Sequence, residues 1–197
     1  MIKLLFSSIF VASFIIPFQI CAQQKINLIS IGSEWKYLDD GSDLGSVWRD
    51  PNFDDSLWKI GKAAIGISNA NTVTTAERGD PGSRNITFYF RKEFNFSNKI
   101  ADSLNLIDRA LRIQLDLLRD DGAVIYLNGQ EILRDNMPEG KINWDTLASS
   151  SVVGRGDSTY YERTLDSNTR LKPGRNVLAV EVHLSSLGSN DMSFDLK

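Results

Sequence analysis

The segment LRIQLDLLRDDGAVIYLNGQEILR, residues 111–134, sets apolar Leu111, Ile113, Leu115 and Leu117 against polar Arg112, Gln114 and Asp116. A repeat of two puts one set on each face of an extended chain, the mark of a half-buried strand. Asp120-Asp121-Gly122 follows, where short acidic side chains can bond nearby backbone N–H groups and glycine tolerates positive φ, so a turn is expected. Residues 123–127 form a second arm. Asn128-Gly129, a dipeptide suited to two positive φ angles, then returns the chain along 130–133. The expected unit is a three-stranded meander whose first turn is the acidic pair.

Outward from this unit, further strands are expected. Residues 87–96 place Phe88, Phe90, Phe94 and Phe96 on one face and Tyr89, Arg91 and Glu93 on the other, with Lys92 interrupting the apolar face near a rim. In 177–184, Leu178, Val180, Val182 and Leu184 point inward, after a turn at Pro173-Gly174. Shorter strands are expected at 35–38, 63–67, 160–165 and 192–196. Phe53 to Trp58 reads as one helical turn capped by Asp54 or Asp55 and pinned to the sheet by its two aromatic ends. Long polar segments at 68–85 and 136–159 read as loops, and 97–109 as a connection. Short strands, long loops and no convincing long helix indicate an all-β, antiparallel two-sheet sandwich, a jelly roll.

The chain is an ordinary globular one by composition: 197 residues, 42% hydrophobic, 24% charged, formal net charge −3. That balance offers no electrostatic footprint for nucleic acid. Lys3, the apolar run 4–16, Pro17 and Ala22 have the three regions of a secretory signal peptide, so residues 1–22 are expected to be removed and 23–197 to form one domain. Secreted, periplasmic or cell-surface placement follows. Cys21 leaves open a lipidated form, although bulky Ile20 departs from the small residue that processing wants. Removal of the leader takes the one cysteine with it, so the domain must be held by its core without a disulfide. No further segment is long and apolar enough for a transmembrane span.

Taken in order, Trp35, the Phe53-to-Trp58 motif, Phe88-Tyr89-Phe90-Arg91-Lys92-Glu93-Phe94, residues 120–129 and residues 173–182 resemble the galactose-binding-domain-like jelly rolls. The same succession is similar to the non-catalytic sugar-binding domain of β-galactosidases and β-glucuronidases. It is closer still to modules attached to secreted bacterial metallophosphoesterases, where Asn136-Met137-Pro138 and the ending Ser193-Phe194-Asp195-Leu196 also recur. The resemblance implies a scaffold, and it carries no ligand residue across.

Catalysis finds little footing. A nucleophilic triad or a two-metal centre would have to be assembled around the single histidine, His183, and no nucleophile-elbow motif is present. The acidic pairs Asp39-Asp40, Asp54-Asp55 and Asp120-Asp121 all fall in turn contexts, where backbone hydrogen bonding explains them. A non-catalytic module binding carbohydrate or cell-surface glycan is therefore expected. The alternative is a structural domain that packs on a partner enzyme.

Sugar recognition stacks the apolar face of a pyranose on an aromatic ring and meets its hydroxyls with planar polar groups. Candidates are Trp144, Tyr161 (or Tyr160, which should face the other way), Arg155 and His183, with Asn143 and Asp157 nearby. Trp144 could instead fold back to seal an open end of the core. Arg155-Gly156-Asp157 matches an integrin-binding tripeptide, for which chance is the better account. The fold requires no cofactor. Asp39, Asp40 and Asp43 have the oxygen density that a structural calcium ion favours, against which turn formation alone accounts for the cluster.

Overall fold

The computed structural model describes residues 25–80, 83–97, 112–153, 159–165 and 171–197. The expected signal peptide with Cys21, most of the 97–109 connection, Leu111 and the Arg155-to-Asp157 tripeptide lie outside the described residues. Strands follow one another as β1 (Glu34–Leu38), β2 (Lys59–Lys62), β3 (Ile65–Ile67), β4 (Thr74–Thr75), β5 (Gly79–Asp80), β6 (Ser83–Arg84), β7 (Thr87–Phe96), β8 (Ile113–Asp120), β9 (Gly122–Leu127), β10 (Gln130–Asp135), β11 (Tyr160–Leu165), β12 (Gly174–His183) and β13 (Met192–Leu196). Among the described residues the one helical element is a 3-10 turn at Val47–Arg49. Among the described residues no helix is long and apolar enough to cross a membrane.

Two sheets stack face to face. One is six-stranded, in the order β10-β9-β12-β7-β1-β2, and the other five-stranded, β11-β8-β13-β3-β4, while β5 and β6 form a small separate ribbon. All ladders are antiparallel except β3 with β4. The expected all-β two-sheet sandwich is what the chain forms. Between the sheets lie the apolar positions read from the alternation, Phe88 and Phe90 of β7 and Leu178, Val180 and Val182 of β12 among them. Phe194 of β13 is their counterpart. Its ring stacks on Phe90 at 4.0 Å between centroids and meets the edge of Trp35 at 5.0 Å.

The meander needs correction. β9 and β10 do pair through the Asn128-Gly129 turn, with positive φ at both residues. β8 and β9, however, belong to different sheets, and β9 takes β12 as its other neighbour. Asp120-Asp121-Gly122 is therefore a corner between layers and no hairpin turn. A period of two records which side chains face inward; a strand that pairs with its successor and one that stacks on it carry the same record.

The outer face of the six-stranded sheet is also covered. Trp48, Trp58, Tyr89, Tyr126, Met137, Ile142 and Ala148 form a second apolar cluster there, built by the 44–58 segment and by the loop that follows β10. At 53–58 no helical element forms, but a single turn does: the Trp58 N–H donates to Asp55 O at 3.2 Å and Asp54 Oδ1 accepts from the Ser56 N–H at 3.0 Å, while the Asp55 carboxylate is drawn to Lys36 (2.6 Å) and Arg91 (2.7 Å). Its pinning role survives, since Phe53 and Trp58 pack edge to face at 5.9 Å. Lys92 reaches the rim as expected and donates to Glu34 O at 2.7 Å.

Burial differences of this size have measurable consequences. Phe194→Ala, which empties the centre of the inter-sheet core, is expected to lower the unfolding free energy by about 3–5 kcal/mol. Leu57→Ala, at a side chain 96% exposed, should change it by less than about 0.5 kcal/mol. Urea denaturation of both variants checks the contrast.

Candidate functional site

Three strand ends meet at one end of the sandwich. In the ladders His183, which closes β12, stands opposite Thr87, the first residue of β7, and opposite Gly122, the first of β9. Asp121 sits beside them at the corner, 2% exposed, with every polar atom engaged. Its N–H donates to His183 O at 3.3 Å. Its carbonyl accepts from Arg119 Nη1 (2.8 Å) and Asn136 Nδ2 (2.9 Å). The carboxylate accepts from the N–H of Val152 (2.6 Å) and of Ser185 (2.7 Å), so one side chain binds the loop after β10 to the loop after β12. Burial alone would push this carboxyl upward; the N–H groups of Val152 and Ser185, together with side-chain hydrogen bonds from Asp120 and Ser185, outweigh it and hold it below the ordinary aspartate value.

The loop after β10 closes on itself. Asn136 adopts φ 53°, tolerable for asparagine, which lets its side chain span the neck. Asn136 Nδ2 donates to Ser150 O (2.7 Å) and Oδ1 accepts from Ser150 Oγ (2.8 Å). Met137, Ile142 and Ala148 fill the underside. The fit over Gly122 is close, for a Cβ there would lie 2.6 Å from both Asn136 O and Met137 Sδ. At the tip, the Thr146 N–H donates to Asn143 O (3.1 Å) and the Asn143 N–H to Thr146 Oγ1 (2.9 Å), a turn with Trp144 and Asp145 at its centre.

Trp144 is 39% exposed and belongs to neither apolar cluster. Of this loop it is Ile142 and Ala148, and not the Trp144 ring, that join the apolar cluster on the outer face of the six-stranded sheet. His183 lies directly beneath. It is fully buried, so a direct ligand contact, the expectation for this residue, is corrected: its Nδ1 is 2.7 Å from Thr146 O and 2.9 Å from Thr87 Oγ1, and Thr87 Oγ1 donates to Trp144 O at 2.5 Å. The Nε2 atom faces Glu181 Oε2 at 3.4 Å, while Glu181 Oε1 accepts from Tyr126 Oη (2.5 Å) and Arg49 Nη2 (3.2 Å). Burial first, and then the Glu181 charge, push the Tyr126 phenol far up, so it stays a donor.

Neither Tyr161 nor Tyr160 joins Trp144, and Arg155 lies outside the described residues. Tyr161 is half-buried on β11, with the Arg119 guanidinium 4.3 Å from its ring centroid and Arg163 at 5.7 Å. Both arginines converge on buried Asp135, at 2.7 Å and 2.6 Å, joining edge strand β10 to edge strand β11. Tyr160 faces the other way, as alternation requires, and donates to Asp195 Oδ2 at 2.7 Å. The three aspartates weighed for calcium do not converge. Asp39 is buried and pairs with Lys59 Nζ at 2.9 Å while accepting from the Glu77 N–H at 2.6 Å. Asp40 and Asp43 accept from the backbone of Ser42 and Gly45 in local turns. Among the described residues no three or more His, Cys, Asp or Glu side chains gather as a metal site.

No protein-family model matches the chain, and no curated protein matches it in sequence. In chain path it is similar to part of several solved β-glucuronidases. A β-glucuronidase from glycoside hydrolase family 2 aligns at 16% identity and TM-score 0.46, over 78% of this chain and 13% of that one. The Bacteroides uniformis enzyme aligns at 16% identity and TM-score 0.48, over 81% and 15% of the two chains. For the Ruminococcus gnavus enzyme the values are 18% and 0.46, over 80% and 21%. The chain thus spans between 13% and 21% of the length of these enzymes.

Asp121 provides the test of the corner. Asp121→Asn puts an amide where the two N–H groups need an acceptor, and near neutral pH it should cost roughly 1–3 kcal/mol in urea denaturation. A carboxyl held below its unfolded value, about 3.9, contributes stability above that value and loses it as the pH falls through the folded one. Wild type and variant should therefore converge in stability as the pH is taken below about 3.9.

Proposed function

We propose that the chain is an exported, non-catalytic β-sandwich module that binds carbohydrate at the loop end, with the Trp144 ring as the platform for a sugar face and Asn143 and Asp145 as partners for hydroxyl groups. The exposure of Trp144 on a clamped turn carries this reading. Trp35, Trp48 and Trp58 are all buried in the two clusters, whereas Trp144 stands out at the centre of a turn whose backbone is bonded from below. An aromatic plane offered to solvent loses the stabilisation of burial, and a pyranose face laid on it restores that stabilisation. Planar polar side chains on either side supply direction. The order of motifs shared with sugar-binding jelly rolls points the same way.

The partner-enzyme reading draws on a different place. Leu57 and Ile60, exposed at and beside edge strand β2, would suit a protein contact. Substituting both with serine would weaken such an assembly and leave glycan binding unchanged.

A glycan array probed with the purified protein, followed by calorimetric titration of the best sugar, tests the main proposal. Trp144→Ala is expected to weaken binding at least about tenfold, equivalent to about 1.4 kcal/mol. Binding unaffected by the substitution would remove Trp144 from the site, and a blank array would remove the carbohydrate reading.

A further inference from the structure

The two groups beneath the Trp144 turn do more than fill space. We propose that Thr87 and His183 are positioning residues that hold the Trp144 ring ready for its ligand; the ligand part rests on the carbohydrate reading, and the positioning part does not.

The direction of each hydrogen bond follows from its partners. Trp144 O has only lone pairs, so the single hydroxyl hydrogen of Thr87 points at it across 2.5 Å. Thr146 O likewise only accepts, so the hydrogen in its 2.7 Å contact belongs to His183 Nδ1. Thr87 Oγ1, its own hydrogen committed, is left to accept from the same Nδ1–H at 2.9 Å. The chain of donors therefore runs from the imidazole to the hydroxyl to the loop. Turning the ring over would bring a carbon against Thr146 O and lose the bond.

Geometry makes the grip specific to the platform. Thr87 and His183 are ladder partners on β7 and β12, so their side chains rise side by side from the rigid centre of the six-stranded sheet. The carbonyls they hold, at 144 and 146, flank Asp145 in the middle of the turn. Both bonds go to backbone atoms, and neither side chain is exposed to meet a ligand. Their effect on binding would be to remove the ordering that a loose turn would have to undergo when a ligand arrives.

Because the other tryptophans are buried, acrylamide quenching of the protein's fluorescence reports mainly on Trp144. Thr87→Val keeps shape and removes the hydroxyl, and Thr87→Ser keeps the hydroxyl. The Val variant is expected to raise the accessible fraction of fluorescence and to lower its anisotropy, and the Ser variant to restore both. With the best glycan from the array, Kd should rise about tenfold for Val and return for Ser. A folded Val variant whose quenching and anisotropy match wild type overturns the proposal. So does increased quenching with an unchanged Kd. If the array is blank, the carbohydrate reading fails while the quenching comparison still decides whether Thr87 positions the ring. Should the Val variant not fold, nitrogen NMR of His183 in the wild type decides: a proton on Nδ1 bonded to Thr146 O is expected, and an unprotonated Nδ1 overturns the scheme.

Discussion

The acceptance of two backbone N–H groups by the Asp121 carboxylate is the interaction on which the loop end depends. A charged carboxylate removed from water is tolerated only where donors replace its hydration, and Val152 and Ser185 supply them from two loops far apart in sequence. The same residue separates β8 in one sheet from β9 in the other. Satisfying the charge and turning the corner are thus one requirement. Once it is met, the neck at Asn136, the underside packed over Gly122 and the turn at 143–146 have fixed points from which to be built.

A second consequence concerns the six-stranded sheet. Its central strands bury side chains on both faces, so β9 and most of β12 read as continuous burial where alternation alone would expect one wet side. The outer layer is aromatic and polar at once. Trp48 packs on Tyr89 at 4.8 Å and on Tyr126 at 5.7 Å, and beside them Glu181 is compensated by Arg49 and Tyr126. A buried carboxylate in such company fixes neighbours in direction as well as distance, which an apolar filling would not do. The imidazole bonded to the Thr146 carbonyl lies against this layer, its Nε2 3.4 Å from Glu181 Oε2.

How much of this the sequence discloses depends on the range of the interaction. Residues 87–96 are legible in full, because Phe88, Phe90, Tyr89 and Arg91 take the faces that a period of two assigns them. Asn128-Gly129 is legible for the same local reason, since its φ values are intrinsic to the dipeptide. The Asp120-Asp121 corner is not: the bonds that make it a corner run to residues 152 and 185, and the pair itself reads as any turn. Trp144 shows a related limit. Its place in a long loop is plain from the sequence, but not that Ile142 and Ala148, rather than the Trp144 ring, are the side chains of that loop buried against the sheet. Thr87 gives no signal at all, being one more β-branched residue at a strand start. Arg119, Asp135 and Arg163 are missed for the same reason, as their meeting depends on two edge strands coming together.

Division of labour between backbone and side chain has a further consequence at this site. Thr87 and His183 hold the turn through the carbonyls of residues 144 and 146, and Ala148 bonds back to Leu184 through its N–H. None of these bonds specifies which side chain stands at 144, 145 or 147. The scaffold can keep its fold while the tip changes its chemistry, the usual condition for function carried on loops over a rigid frame. A change at Thr87 acts in the opposite way. On the proposed reading it would leave the tip's chemistry intact and alter how firmly that chemistry is presented, so that strength of binding and choice of ligand would be set by different residues of one loop end.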